Sequence, residues 1–190
     1  MSSKKMSSFE IRASLFLASV YGLRMLGMFL ILPIFAIYAS GLSGNPTQLQ
    51  IGLALGIYGL TQAVFQIPFG MSSDFFGRKK VIYFGLALFV LGSIIAGSSS
   101  QIENIIIGRA IQGAGAISAV LTALLSDLTR DEHRTKAMAI VGGSIGLTFA
   151  LSLVISPWLH DKIGVSGIFF LMALLSILAA IIIHLYIHEP

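Results

Sequence analysis

The sequence contains no cysteine, which excludes a disulfide framework, a thiolate zinc site and a cysteine nucleophile. Charged residues are also scarce, at 11% of 190 residues, whereas a soluble domain carries about a quarter. Hydrophobic residues make up 56% of the chain, and the mean hydropathy is +0.91. Because a water-soluble fold of this size could not bury so much apolar surface, most of the chain is expected to lie in lipid. The sequence shows no phosphate-binding glycine loop, nucleophile elbow or zinc motif, and nothing in it indicates an enzyme.

Six apolar runs are each long enough to cross a bilayer as a helix, which needs roughly 20 residues. The runs lack the alternation of a barrel strand, so we predict an all-α membrane protein, a six-transmembrane-helix bundle. The loops are too short for a soluble domain, so residues 1–190 are expected to form a single transmembrane domain. The predicted spans are about 12–39, 48–72, 80–98, 102–126, 136–159 and 164–187.

Lysine and arginine residues outside the spans fall almost wholly on one side. Only Lys162 lies in an opposite loop. The positive-inside rule therefore predicts a multi-pass membrane protein with both termini in the cytoplasm. The same rule accounts for the net charge of +4, so no nucleic-acid partner is expected. The cations on the predicted cytoplasmic side are Lys4, Lys5, Arg12, Arg78, Lys79, Lys80, Arg130, Arg134 and Lys136.

Two arginines lie inside predicted spans. Arg24 is about 18 Å beyond Arg12 along a helix, too deep for its side chain to reach the interface. It is predicted either to line a cavity or to be satisfied by neighbouring carbonyls and amides. Arg109 is only about 9 Å beyond Glu103, so a side chain that reaches the interface is an equal alternative to a cavity role. The interior of the spans contains no carboxylate, the usual proton carrier in a membrane relay.

Span 2 also carries a polar stripe. Tyr58, Gln62 and Gln66 recur at every fourth position and therefore share one helix face. The stripe predicts either hydrogen bonds between helices or the lining of a substrate cavity. His184 and His188 have a metal-like spacing, but no further ligand accompanies them, so an interfacial role is predicted and no metal site is expected.

Small residues recur in spans 2 and 5. Gly52, Gly56 and Gly59 are three or four residues apart in span 2, and Gly142 and Gly146 are four apart in span 5. Small residues at this spacing let helix backbones approach closely. Spans 3 and 6 carry almost no polar group and are expected to face lipid.

The stretch GMSSDFFGRKKV, residues 70–81, resembles the loop between helices 2 and 3 of the major facilitator superfamily. The residues that match are Gly70, Asp74, Gly77, Arg78 and Lys79. The stretch GRAIQGAGA, residues 108–116, is similar to the family's helix 4 signature. There the matching residues are Arg109, Gln112 and Gly113. Further segments resemble the bacterial drug:proton antiporter branch, although Gly142–Leu147 lacks the Gly-Pro pair of that branch's helix 5 signature.

The resemblance implies a secondary transporter of a bacterial cytoplasmic (inner) membrane that works by alternating access. Because the family's members have twelve helices, the six predicted here correspond to half of one. It also implies that the loop, together with Asp127 at the end of span 4, forms a conformational latch. Gly70 would allow close helix contact, Gly77 a tight turn, and Asp74 would pair with Arg78. The alternative for the loop is a cation-rich turn that only sets topology.

The chain corresponds to the N-terminal half of such a transporter. Its expected partners are the lipid bilayer, a small amphipathic substrate and a second six-helix half, which is either the missing C-terminal half, a separate chain or a second copy. No cofactor is expected, and a proton is the expected coupling ion. The alternatives are a uniporter, a non-transporting regulatory or assembly subunit, and a channel-like homo-oligomer with a polar ring of Gln62 and Arg24.

Overall fold

The structure, a computed structural model, describes residues 5–42 and 44–187 and contains only helices and connecting turns among them. The all-helical prediction is thereby confirmed. Lys4 and His188, named above for their charge and spacing, lie outside the described residues. The helices are α1 Ser8–Ser40, α2 Gln48–Phe76, α3 Arg78–Gly97, α4 Ile102–Ala114, α5 Ser118–Asp127 and α6 Arg134–Tyr186, with a short 3-10 turn at Asp131–His133.

Capping boxes begin the first two helices. The Ser7 hydroxyl accepts from the backbone N–H of Glu10, whose carboxylate accepts in return from the N–H of Ser7. Thr47 and Gln50 form the same reciprocal pair at the start of α2. Each pair satisfies backbone donors that a helix cannot satisfy itself, and so fixes where the helix begins.

The predicted span 4 is interrupted near its middle. Gly115 leaves the helical conformation with ψ 52°, and Ile117 precedes a new helix, so that α4 and α5 are separate segments. The prediction of one continuous helix over 102–126 is wrong at this point, because small residues in an apolar run are compatible with either a helix or a break.

The predicted spans 5 and 6 follow each other without a loop in α6, which consists of two helices joined at a kink at Gly164. Five helical stretches of the described residues are long and apolar enough to cross a membrane, where we had predicted six. The predicted loop at 160–163 is wrong, since its charged residues continue the helix, and only Gly164 is non-helical, with φ 66°. A straight helix of 53 residues would be about 80 Å long, far beyond the roughly 30 Å hydrocarbon core.

The first limb of α6, residues 134–163, runs in the same direction as α1. The Ser144 hydroxyl donates to the carbonyl of Ala18 at 3.2 Å, and the Ser156 hydroxyl donates to the carbonyl of Leu30. The contacting residues occur in the same order along both helices, so the two helices are parallel.

The second limb, residues 165–186, runs antiparallel to α1. Met172 packs at Gly27, whereas the ring of Tyr186 stacks on Phe16 with 4.4 Å between centroids. The direction of the chain therefore reverses at Gly164, where a positive φ suits glycine.

Two apolar clusters fill the bundle, one towards the end where α2 meets α3 and one towards the opposite end. The first cluster includes Leu17, Ile82, Leu124 and Ile183. The second includes Leu30, Phe89, Ile105 and Phe169. The side chains of Arg24, Ser93, Arg109 and Gln112 are buried between the clusters. We call these four residues the polar layer.

Close backbone contacts join α3 to α4. A Cβ on Gly92 would collide with the carbonyl oxygen of Gly108, and a Cβ on Gly108 would lie 2.7 Å from the carbonyl oxygen of Gly92. The glycines that the sequence singled out in spans 2 and 5 behave differently. A Cβ on Gly52, Gly56, Gly59, Gly142 or Gly146 would meet no atom within 4 Å.

We expect Gly92→Val to lower the free energy of unfolding by about 3 kcal/mol, because the added side chain would meet the backbone of α4. Ala87→Val is the control. It adds a branched side chain at an exposed position of the same helix, and we expect a loss of at most about 1 kcal/mol. Denaturant unfolding in micelles, followed by circular dichroism, measures both. Equal losses in the two variants would contradict the close contact of α3 and α4.

Candidate functional site

The residues of the loop between α2 and α3 meet α5 at one end of the bundle, which we call the charged face. The guanidinium of Arg78 lies between two carboxylates: Nη1 is 2.5 Å from Oδ1 of Asp74, and Nε is 3.0 Å from Oδ2 of Asp127. Nη1 also donates to the Ser73 hydroxyl at 2.6 Å. One side chain therefore links the end of α2, the start of α3 and the end of α5.

The two glycines of the loop differ in whether their position requires a glycine. Gly77 has φ 93° and separates α2 from α3, as the tight turn requires. A Cβ on Gly70 would lie 3.7 Å from that of Ala119, an ordinary contact. The close helix contact expected at Gly70 is therefore absent from this structure. Lys79 contacts a different helix. Its Nζ donates to the carbonyl of Ile187 at 2.7 Å, which joins the start of α3 to the end of α6.

The ion pairs of Arg78 are open to solvent. The Asp74 side chain is 60% exposed and that of Asp127 is 38% exposed. Exposed ion pairs contribute between about 0.2 and 1 kcal/mol each, since water competes for both partners. Breaking this contact among three helices therefore costs little free energy.

A second ion pair at the charged face was missed by sequence reasoning. The carboxylate of Glu10 is almost fully buried and accepts from both the backbone N–H and the guanidinium of Arg130, at 3.0 Å in each case. This hydrogen-bonded carboxylate raises the pKa of Arg130, so the guanidinium stays charged at every physiological pH. The Ser7–Glu10 capping-box spacing was visible in the sequence, but its partner 120 residues away was not.

The helix 4 signature lies in the polar layer. Arg109 donates through Nε to the carbonyl of Ala54 at 3.3 Å and through Nη1 to Oε1 of Gln112 at 3.1 Å. Gln112 in turn donates to the hydroxyl of Ser93 at 2.7 Å. The Arg109 guanidinium also lies over the ring of Tyr58, 4.7 Å from its centroid. Arg109 is 1% exposed, so it reaches inward to α2 and not to the interface.

Gly113 brings α2 against α4. A Cβ at this position would collide with the Thr61 hydroxyl and the Tyr58 carbonyl. The three signature residues therefore act together: Arg109 binds α2, Gln112 binds α3, and Gly113 leaves the space that this packing needs.

Arg24 binds at the break between α4 and α5. Its Nη2 donates to the carbonyl of Gly115 at 2.7 Å, and its Nη1 donates to the Ser118 hydroxyl at 3.2 Å. The Gly115 carbonyl also accepts from the backbone N–H of Ile117 at 2.9 Å, and its two lone pairs allow both bonds. The side chain is 1% exposed, and its guanidinium carbon is 5.5 Å from the ring centroid of Phe89. In this half-bundle a carbonyl and a hydroxyl accept from two of the Arg24 nitrogens, as in the second predicted arrangement, whereas its buried Nε has no hydrogen-bond partner among the described residues.

The polar stripe of α2 is divided among three environments. Tyr58 is buried beneath Arg109, Gln62 is half-buried, and Gln66 is exposed. The Gln62 amide donates to the Ser118 hydroxyl at 3.4 Å, beside Arg24.

Further polar groups at this point were missed from the sequence. The Tyr21 hydroxyl donates to the carbonyl of Ser118 and lies 2.9 Å from the Thr122 hydroxyl. Together with Gln62 they form a half-buried polar patch between α1, α2 and α5. Little in the sequence singled out these hydroxyl-bearing residues, since single hydroxyl groups are common in membrane helices. Across the described ranges, no group of three or more histidine or acidic side chains is arranged to hold a metal ion.

The sequence profile of the Major Facilitator Superfamily matches residues 17–190, most of the chain. The chain belongs to this superfamily. The resemblance inferred from the loop and helix 4 motifs is thus confirmed. The Inner membrane transport protein YajR of Escherichia coli (strain K12) is 53% identical over 176 residues, which cover 93% of this chain and 38% of that protein. The Tetracycline resistance protein, class H, of Pasteurella multocida is 30% identical over 141 residues, covering 73% of this chain and 34% of that protein.

The fold is also similar to solved members of the superfamily. The crystal structure of a bacterial homologue of the human lysosomal transporter Spinster, inward-facing and unoccupied, superposes with a TM-score of 0.79 at 17% identity. The superposition covers 97% of this chain and 44% of that one. The chain therefore spans less than half the length of each of these proteins and has the fold of half a major facilitator transporter. These relatives are transporters and not enzymes.

We expect Glu10→Ala to lower the midpoint of thermal unfolding by about 5 °C, because it leaves the Arg130 backbone N–H and guanidinium without their acceptor. Glu132→Ala is the control, since Glu132 also pairs with Arg130 but is 43% exposed. Its loss should be below about 2 °C. Thermal unfolding in micelles measures both, and a larger loss in the control would refute the assignment.

Proposed function

We propose that this chain forms one half of a secondary transporter that works by alternating access. In this mechanism two similar halves rock about a substrate bound between them. The observation that carries the proposal is the position of Arg78 between carboxylates of α2 and α5. Weak, exposed pairs suit a contact that breaks and re-forms in each cycle. In this proposal the latch residues Gly70, Asp74, Gly77, Arg78, Lys79 and Asp127 hold the charged face closed in the outward-facing state.

In this proposal the chain crosses the membrane six times, with the two limbs of α6 as the fifth and sixth crossings. The opposite directions of the limbs along α1 support it, as does the length of each limb, which exceeds the roughly 20 residues that a crossing needs. The charged face lies in the cytoplasm of a bacterial inner membrane, supported by the concentration of lysine and arginine there.

The second half docks on the face formed by α2 and the first limb of α6. Support comes from the glycines of these two helices, which point into open space although such glycines usually meet a neighbouring helix. Their large apolar side chains are also exposed, including Leu60, Val64, Leu147 and Val154. The partner is either a C-terminal half of the same chain, a separate chain or a second copy.

The substrate cavity lies against the polar patch of Tyr21, Gln62, Ser118 and Thr122, with Tyr58 and Arg24 behind it and Gln66 beside it. A patch of this kind between apolar helices suits small amphipathic compounds. We propose efflux of such compounds, in keeping with the similar protein of Pasteurella multocida that is named for resistance to tetracycline. Since the described spans hold no carboxylate in their interior, a proton that drives antiport binds in the second half, and a uniporter is the alternative.

Six crossings predict opposite accessibility on the two sides of the membrane, and these 190 residues contain no cysteine that would compete with an introduced one. In intact cells, a membrane-impermeant maleimide should label Lys162→Cys. It should label Glu132→Cys only after the cells are opened. Labelling of both variants in intact cells, or of neither, would contradict the proposed topology.

Asp74→Asn should abolish transport while the protein still inserts and folds, because the neutral side chain cannot hold Arg78 in the closed state. Asp131→Asn is the control. Asp131 pairs with Arg134 at 2.9 Å on the same face but is 87% exposed and lies outside the latch. Efflux by the complete protein in vesicles is the measurement. Full activity of the Asp74 variant would refute the latch, whereas an inactive wild type would favour a non-transporting subunit.

A further inference from the structure

A groove of about 630 Å³ runs along the outside of the bundle between α3 and the second limb of α6. It is lined from Tyr83 to Ile94 on α3 and from Ser176 to Leu185 on α6. Nine of its twelve lining residues are apolar, and the polar ones are Tyr83, Ser176 and His184. The groove lies away from the face where we propose that the second half docks, so it remains open to lipid in the assembled transporter.

The length of the groove matches one leaflet of a bilayer. The lining residues of α3 span twelve positions, from Tyr83 to Ile94, or about 16 Å of helix. Half of the roughly 30 Å hydrocarbon core is about 15 Å. The groove also begins near the start of α3, at the level of the charged face, and ends near the middle of the bundle. The groove is therefore about as long as the acyl chain of a lipid in one leaflet.

A second, smaller groove of about 380 Å³ opens beside the first turns of α3, where Lys80, Val81 and Phe84 line it. Phe69 and Phe76 line it as well. Lys80, Phe84, Ala87 and Leu91 follow one another at helical spacing and so share the outward face of α3. The two grooves thus flank one helical stripe, with Lys80 at its charged end.

Positive charge is concentrated where the two grooves begin. Lys80 is exposed and takes part in none of the ion pairs found among the described residues. No side chain caps the start of α3, so its first backbone N–H groups add a positive dipole end there. The bond from Lys79 to the carbonyl of Ile187 brings the last turn of α6, with His184, to the same level.

We propose that the outward face of α3 binds a diacyl phospholipid with an anionic headgroup. One acyl chain lies in each groove, and the headgroup phosphate lies beside Lys80 and the start of α3. Apolar walls of leaflet depth fit the chains, and the exposed cation at their charged end complements the headgroup. This site is separate from the substrate cavity and does not depend on the proposed transport activity.

Fluorescence quenching by brominated lipid tests the site directly. These 190 residues contain one tryptophan, and any tryptophan of the second half is replaced by phenylalanine as well. In a Trp158→Phe background, Leu91→Trp places a reporter in the larger groove. Leu178→Trp is the control, since Leu178 is 42% exposed at a similar depth on α6 but does not line the groove. The complete protein is reconstituted in phosphatidylcholine that contains a known fraction of dibrominated phosphatidylglycerol of the same chain length.

We expect quenching at position 91 to exceed the value for the bulk lipid fraction, corresponding to about fivefold enrichment of phosphatidylglycerol. Position 178 should follow the bulk fraction. Lys80→Gln should remove the enrichment, whereas Lys136→Gln, the same change in charge on α6, should leave it intact. Bulk-fraction quenching at both positions would overturn the proposal, as would an enrichment that survives Lys80→Gln. Quenching at position 91 below the bulk fraction would show that protein, for example a second copy, covers the groove.

Discussion

Two buried arginines set the main constraint on this fold, because a guanidinium in an apolar bundle must find its acceptors within the protein. Arg24 uses the carbonyl of Gly115, at the break between α4 and α5, and Arg109 uses the carbonyl of Ala54 on α2. Both arginines are paired only with neutral acceptors and lie near aromatic rings. Loss of either backbone contact would leave a buried charge unsatisfied, so the polar layer fixes α1, α2, α3 and α4 relative to one another from the middle of the bundle.

The charged face is held together differently. There, Arg78 joins three helices through carboxylates that water reaches, and such pairs contribute little free energy each. A bundle with a firmly bonded middle and a weakly bonded end is suited to moving as one body while the contacts at its end change. That division of strength connects the packing of this half to the rocking motion proposed for the whole transporter.

Local patterns in the sequence predicted the parts of this structure that depend on local spacing. The apolar runs predicted the helices, and the four-residue separation of Asp74 and Arg78 predicted their pairing. The break at Gly115 could not be predicted, because small residues in an apolar run are compatible with either a continuous helix or a break. The pair of Glu10 and Arg130 depends on packing between distant parts of the chain, which no local pattern encodes.

The central claim is that this half moves as a rigid body whose charged face is held closed by Arg78. Double electron–electron resonance on the complete transporter tests it most directly. One distance is measured between spin labels at position 136 and at a fixed site on the charged face of the second half. The other is measured between labels at positions 136 and 162, both within this half. Removing the Asp127 carboxylate with Asp127→Asn should shift the first distance distribution towards longer values and leave the second unchanged. An unchanged first distribution, or a change in the second, would contradict the account.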